Sequence, residues 1–142
     1  MKARVFLDTN VLVYLFDADA PVKQRRAQDL LSNRELRARM ILSTQVLQEF
    51  YVSVTRKLAT PLDPEVAFQA VHNLAALPVA PIDPPLILLA IQRSRKAKVS
   101  FWDALILEAA LASGATLLYS EDFQDGAVFG GLRIVNPFTL SV

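Results

Sequence analysis

Two rhythms of apolar residues alternate along the chain. "RVFL", "MILS" and "TLLY" are short, mostly apolar runs of the kind that form buried strands, and "RIV" near the end reads as a weaker fourth. Between them the apolar positions recur with helical spacing. "TNVLVYLF" opens a helix with Thr9 as its expected cap. From Val22 to Leu31, Ala27, Leu30 and Leu31 share an apolar side while Lys23, Arg25 and Arg26 face water. Ser43 or Thr44 is expected to cap a long helix reaching about Lys57. "DPEVAFQAVHNLAAL" and "DPPLILLAIQRSRK" each begin with Asp followed by Pro, a side-chain cap and then a residue that needs no amide donor in the first turn. A last helix is expected from Phe101 to Ser113, capped by Ser100 and stopped by Gly114. Strands separated by helices predict an α/β fold: a central, mostly parallel sheet covered on both faces. With no repeat, low-complexity tract or linker, residues 1–142 read as a single domain.

Composition narrows the chemistry. Hydrophobic residues make up 53% of the 142, enough for a sizeable core, and eight prolines against four glycines suit defined element boundaries. Runs such as "PPLILLAI" stop well short of the roughly 20 residues of a membrane span, and the N-terminus has no signal-peptide pattern. A soluble, cytoplasmic protein without membrane contact is expected. Zero cysteines exclude disulfides, thiolate nucleophiles and cysteine-bound zinc. The net charge of +1 balances 15 basic against 14 acidic residues, so any charge-based function depends on where the charges segregate. A mean hydropathy of +0.32 suggests apolar surface covered by a partner, including a second copy in a homodimer.

Asp8 stands at the end of the first strand, and in open parallel sheets ligands bind beyond the carboxyl ends of the strands. Other acids have ordinary explanations. Asp63 and Asp83 cap helices, Asp19 is expected to help start one, and Asp17, Asp29, Glu35 and Glu65 sit among polar neighbours. Glu49 lies at the edge of an apolar helix face, where a pairing with Arg56 is the simple reading. Asp103 stands three residues after Ser100, the spacing of a capping box. Glu108 is five positions further and points elsewhere, as a surface or supporting residue. In "YSEDFQDG", loop solubility accounts for at least one of Glu121 and Asp125.

No one of these patterns is specific, but together they resemble the PIN-domain nucleases, and within them the toxins of VapBC-type toxin–antitoxin pairs. The resemblance runs through "FLDTNVLVYLFD", "ILSTQVLQEFYVSVTRK", "SFWDALILEAALASGA" and "LLYSEDFQDG". It implies an α/β/α sandwich on a parallel sheet. It also implies an acidic metal-binding and catalytic quartet of Asp8, Glu49, Asp103 and Asp122, oriented by Thr9, Asn10 and Ser120, with Asp125 as a candidate extra acid. The implied partners are an RNA substrate and a small antitoxin whose C-terminal segment wraps the toxin.

Elementary electrostatics agrees with the acidic cluster. Two carboxylates about 4 Å apart repel by several kcal/mol at an effective dielectric near 20, and hard divalent cations relieve that repulsion. All-oxygen ligation selects Mg²⁺, or Mn²⁺ as a substitute, and a single histidine, His72, placed mid-helix, argues against zinc. One histidine also excludes an acid–base ribonuclease built on a histidine pair, and neither G-x-S-x-G nor a phosphate-cradling glycine loop is present. The expected reaction is metal-dependent endonucleolytic hydrolysis of RNA. Two alternatives stay open: a metal-dependent phosphatase with Asp8 as nucleophile, disfavoured because Asn10 stands where a second aspartate is expected, and a catalytically silent RNA-binding or interaction module.

Local groups of basic residues could meet phosphates: Lys23, Arg25 and Arg26; Arg34, Arg37 and Arg39; Arg93, Arg95, Lys96 and Lys98. Arg95, Lys96 and Lys98 carry most weight as RNA contacts because they precede the helix of Asp103. Trp102 is read first as a core or interface residue, with base stacking as the alternative.

Overall fold

The computed structural model describes residues 3–139. Six strands form one sheet in the order β3-β2-β1-β4-β6-β5. They are β1 (Arg4–Leu7), β2 (Met40–Ser43), β3 (Val79–Ala80), β4 (Ala115–Tyr119), β5 (Val128–Phe129) and β6 (Leu132–Val135). All neighbours pair parallel except β5 and β6. Helices α1 (Thr9–Val13), α2 (Pro21–Ser32), α3 (Arg34–Arg37), α4 (Thr44–Val52), α5 (Pro64–Leu74), α6 (Pro84–Lys96) and α7 (Phe101–Ala112) flank it. This is the expected α/β architecture with a central, mostly parallel sheet.

The sheet is parallel because its central strands are apolar on both faces: Val5, Phe6, Leu7, Met40, Ile41 and Leu42 are all buried. Helix α7 closes the core with Ala104, Leu105, Ile106, Leu107, Ala109 and Ala110 buried. The caps follow the predicted chemistry at Ser43, Asp63, Asp83 and Ser100, whose side chains accept from Val46, Glu65, Leu86 and Asp103 amides. At the far end of α7, Gly114 takes a φ of 76°, the left-handed turn that leads into β4.

The chain departs from expectation in four places. Asp8, not Thr9, caps α1, and that helix is only five residues long before a 3-10 turn over Tyr14–Phe16. Ala20, not Asp19, occupies the N-cap of α2, where Pro21 supplies the helical φ without side-chain help. The long helix from Ser43 ends its regular part at Val52 and continues as a π turn over Ser53–Lys57, closed by Leu58 N–H donating to Ser53 O at 3.2 Å. Glu108 is not a surface residue. It binds Arg93 across α6 and α7 at 3.3 Å, so Arg93 is committed to an internal ion pair rather than free for phosphate.

Strand order positions the site. From β1 the chain moves outward through β2 and β3, then returns to pair β4 on the other side of β1. The connections therefore diverge at the carboxyl ends of β1 and β4 and leave a crevice there.

Candidate functional site

Asp8 ends β1 at this crevice. It is 4% exposed, and each carboxylate oxygen accepts one short hydrogen bond: Oδ1 from Thr9 N–H at 2.7 Å and Oδ2 from Ser120 Oγ at 2.7 Å. Ser120 ends β4, and its hydroxyl also accepts from Asp122 N–H at 3.1 Å, so one buried serine joins two of the acids. Asn10 holds the same turn from the other side. Its Nδ2 donates to Asp122 Oδ2 at 2.9 Å and its Oδ1 accepts from Glu121 N–H at 3.3 Å. Thr9 Oγ1 donates to Glu49 Oε1 at 2.7 Å, tying α1 to α4. The structure thus brings Asp8, Thr9, Asn10, Glu49, Ser120 and Asp122 into one hydrogen-bonded group, and Glu49 is bound here rather than by Arg56.

Asp103 lies in the first turn of α7, where its backbone N–H donates to the Ser100 cap at Oγ, 3.0 Å away; that bond uses the main chain and not the carboxylate. It also senses the others. Partial burial and the charges of Asp122 and Glu49 raise its carboxyl above the ordinary aspartate range, against a lowering hydrogen bond to Ser100. Burial pushes Asp8 up to about 7, against lowering bonds from Ser120 and Thr9, with the charges of Asp122 and Glu49 adding to the rise. Asp8 and Asp103 therefore both feel the charges of Glu49 and Asp122.

Among the described residues, no three Asp, Glu or His side chains are grouped tightly enough to make a finished ion cage. The donor set nevertheless fits a hard divalent cation. All four groups offer oxygen, and among the described residues the hydrogen bonds that Asp8, Glu49 and Asp122 accept come from amides, hydroxyls and carboxamides, not from Lys or Arg. Asp8 in particular is a buried carboxyl whose neighbours are acids.

Glu49 and Asp122 line an open cavity of about 790 Å³ together with Thr9, Asn10, Gln45 and Trp102. A second groove of about 410 Å³, lined by Leu47, Tyr51, Phe68 and Val71 between α4 and α5, shares Gln48 and Val52 with it.

Several site features were not anticipated. Gln45, 4% exposed, donates from Nε2 both to Glu49 Oε2 at 3.3 Å and to Trp102 O at 3.1 Å, bracing α4 against α7. Its position four residues before Glu49 was the available signal. Lys23 is partly exposed but paired with Glu121, which also accepts from Tyr14 Oη at 2.6 Å; these contacts anchor the loop of Asp122 to α2. Trp102 is not in the core, being 61% exposed at the cavity, which leaves its interface and base-stacking readings. Lys57 lines the cavity, whereas Arg95, Lys96 and Lys98 are exposed beyond it, at and after the end of α6. Asp125 accepts from Asn136 N–H at 2.9 Å in the approach to the last turn, a contact apart from the four acids.

A mostly parallel sheet with an acid-bearing crevice at its switch point defines the class: an α/β domain with carboxylates gathered at its strand ends. The chain belongs to the PIN domain family, whose profile matches residues 5–124. No curated protein matches it in sequence. Its fold is similar to a chain of the FitAB complex bound to an IR36 DNA fragment (TM-score 0.69, 20% identity, 97% of this chain and 98% of that one). It is also similar to a chain of DNA-bound VapBC from Salmonella typhimurium (0.64, 20%, 94% and 97%). A third likeness is to VapC20 of Mycobacterium tuberculosis, a sarcin-ricin loop cleaving toxin (0.58, 20%, 83% and 89%).

Proposed function

We propose that this protein is a Mg²⁺- or Mn²⁺-dependent endoribonuclease and the toxin of a toxin–antitoxin pair acting in the cytoplasm. The observation that carries the reading is the set of Asp8, Glu49, Asp103 and Asp122 at the switch point: the charges of Glu49 and Asp122 help raise both Asp8 and Asp103, and among the described residues no Lys or Arg side chain is hydrogen-bonded to any of the four. Asp8, Glu49, Asp103 and Asp122 would hold the ion, which when bound supplies Lewis-acid polarisation of the phosphodiester and makes a water acidic enough to attack near neutral pH.

The chain's own residues set the geometry. Ser120 and the Thr9 amide fix both oxygens of Asp8, Thr9 Oγ1 and Gln45 aim Glu49, and Asn10 with Ser120 holds Asp122. Hydrolysis forms a bond from water oxygen to phosphorus and breaks the bond to the 3′ oxygen, giving 5′-phosphate and 3′-hydroxyl ends. A covalent phosphoaspartate route is poorly served, because the position two residues after Asp8, where a second aspartate is expected, is Asn10, which donates to Asp122.

The partner we assign is an antitoxin, as the likeness to chains of VapBC and FitAB suggests. The apolar groove between α4 and α5 suits its seat: the shared wall of Gln48 and Val52 lets a segment lying there continue into the acidic cavity. An arginine on that segment would meet the four carboxylates and displace the ion. A homodimer face remains among the apolar residues exposed on α6, Leu88, Leu89 and Ile91. Co-expression with the product of the neighbouring reading frame tests the pairing: a complex that loses ribonuclease inhibition when the partner's basic tail residues become Ala supports it, and the absence of any small co-purifying partner contradicts it.

A further inference from the structure

Among the described residues, Trp102 is the most exposed aromatic lining the acidic cavity. The apolar residues that follow it in α7 from Ala104 to Leu107 are buried, yet Trp102 is 61% exposed. Its backbone is not loose. Gln45 Nε2 donates to its carbonyl and to Glu49 Oε2, so both hydrogens of one buried amide register the tryptophan against an acid of the site. Phe101 braces the indole edge-on, with ring centroids 5.2 Å apart and planes at 70°.

The cavity it lines changes character along its length. Glu49 and Asp122 stand with Thr9 and Asn10, while Val52, Leu58 and Lys57 add apolar wall and a cation. The Lys57 side chain is exposed and makes no hydrogen bond or ion pair among the described residues.

We infer that Trp102 is a base-stacking platform that selects unpaired RNA, holding the base of a nucleotide next to the scissile phosphate while Lys57 meets a neighbouring phosphate. The inference rests on the ribonuclease reading of the same site. A braced indole offers a π-face to any base, so the platform is tolerant of sequence but requires a base that is not already stacked in a duplex. An apolar side chain of a protein partner would not account for the registration of Trp102 to Glu49 or for a free lysine in the same cavity.

Trp102 is the only tryptophan, which makes its emission a direct reporter. The experiment titrates the Asp8→Asn protein in Mg²⁺, so that the strand stays intact, with a short single-stranded RNA, an abasic strand of equal length and charge, and a duplex of the same sequence. Anisotropy of labelled strands gives affinity in parallel, and cleavage by the parent is measured alongside. The expected result is quenching by the single strand alone. Placing Trp102→Ala in the same background should weaken single-strand binding roughly 5- to 150-fold, the range for loss of one stacked base, with Trp102→Phe restoring most of it. In the otherwise parental enzyme, Trp102→Ala should raise KM more than it lowers kcat. Unchanged emission at RNA saturation, equal quenching by the abasic strand, or parental affinity in Trp102→Ala overturns the platform, as does emission that responds only to a protein partner. A parent that cleaves RNA while Trp102 stays silent overturns the platform alone; a parent that neither binds nor cleaves RNA overturns the functional reading beneath it.

Discussion

Replacing Asp8 by Asn separates stability from activity in a pH-dependent way. Burial and neighbouring acids raise Asp8 from 3.8 to about 7 in the ion-free fold. A carboxyl whose folded pKa lies above its unfolded value contributes stability that is full below the unfolded pKa and is lost as pH rises through the folded one. The ion-free parent should therefore weaken between about pH 4 and pH 7. At about 1.4 kcal/mol per unit, the charged carboxylate costs the fold at most ~4 kcal/mol above pH 7. Asn removes the charge but also disturbs two short bonds, from Thr9 N–H and Ser120 Oγ; keeping one oxygen acceptor limits that loss to about 1–2 kcal/mol. The net effect should be a small destabilisation at pH 4.5 and a stabilisation of about 2 kcal/mol at pH 8. For a chain of this size that is a rise in Tm of roughly 6 °C. Thermal unfolding of parent and variant in EDTA at the two pH values reads it out, with RNA cleavage in Mn²⁺ expected to be abolished at both. A variant that melts below the parent by the same margin at both pH values would refute the reasoning and make Asp8 a structural acceptor.

Three other substitutions probe separate parts of the structure. Asp103→Asn keeps the backbone amide that donates to Ser100 and should melt within about 1 kcal/mol of the parent while losing metal-dependent cleavage; near-parental cleavage would reduce Asp103 to its capping role. Glu108→Gln, which breaks the half-buried pair with Arg93 between α6 and α7, should cost about 1–2 kcal/mol in denaturant unfolding and leave kcat within a few-fold, and unchanged stability would show that the pair contributes nothing. Phe50→Ala empties a fully buried position beside Glu49 and should cost about 3–5 kcal/mol by the same assay; a loss below about 1 kcal/mol would mean the core collapses around the gap.

The strands and helices that carry the site were legible because their signals are local. "MILS" is strand over Met40–Ser43 as read, and the two Asp-Pro starts cap α5 and α6. What escaped is short or depends on distant partners. Val79–Ala80 and Val128–Phe129 are two-residue strands, too brief for any alternation to appear, although the Gly-Gly at positions 130 and 131, with φ of 59° at Gly130, marked the β5–β6 turn. Helix α3 was announced only by Asn33, whose side chain accepts from Leu36 N–H. The pairing of Lys23 with Glu121 spans 98 residues, and only the docking of α2 beside the end of β4 brings the two together. The exposure of Trp102 has the same origin: it stands in a largely apolar helix, and only the cavity beside α4 distinguishes it from the buried residues that follow in α7.

The most direct test of the account is cleavage of RNA by the purified protein in Mn²⁺, repeated in EDTA and with Asp103→Asn, with the chemistry of the product ends determined. The account predicts cleavage only by the parent with metal, leaving 5′-phosphate and 3′-hydroxyl termini. Cyclic 2′,3′-phosphate ends, or cleavage that survives chelation, would contradict it.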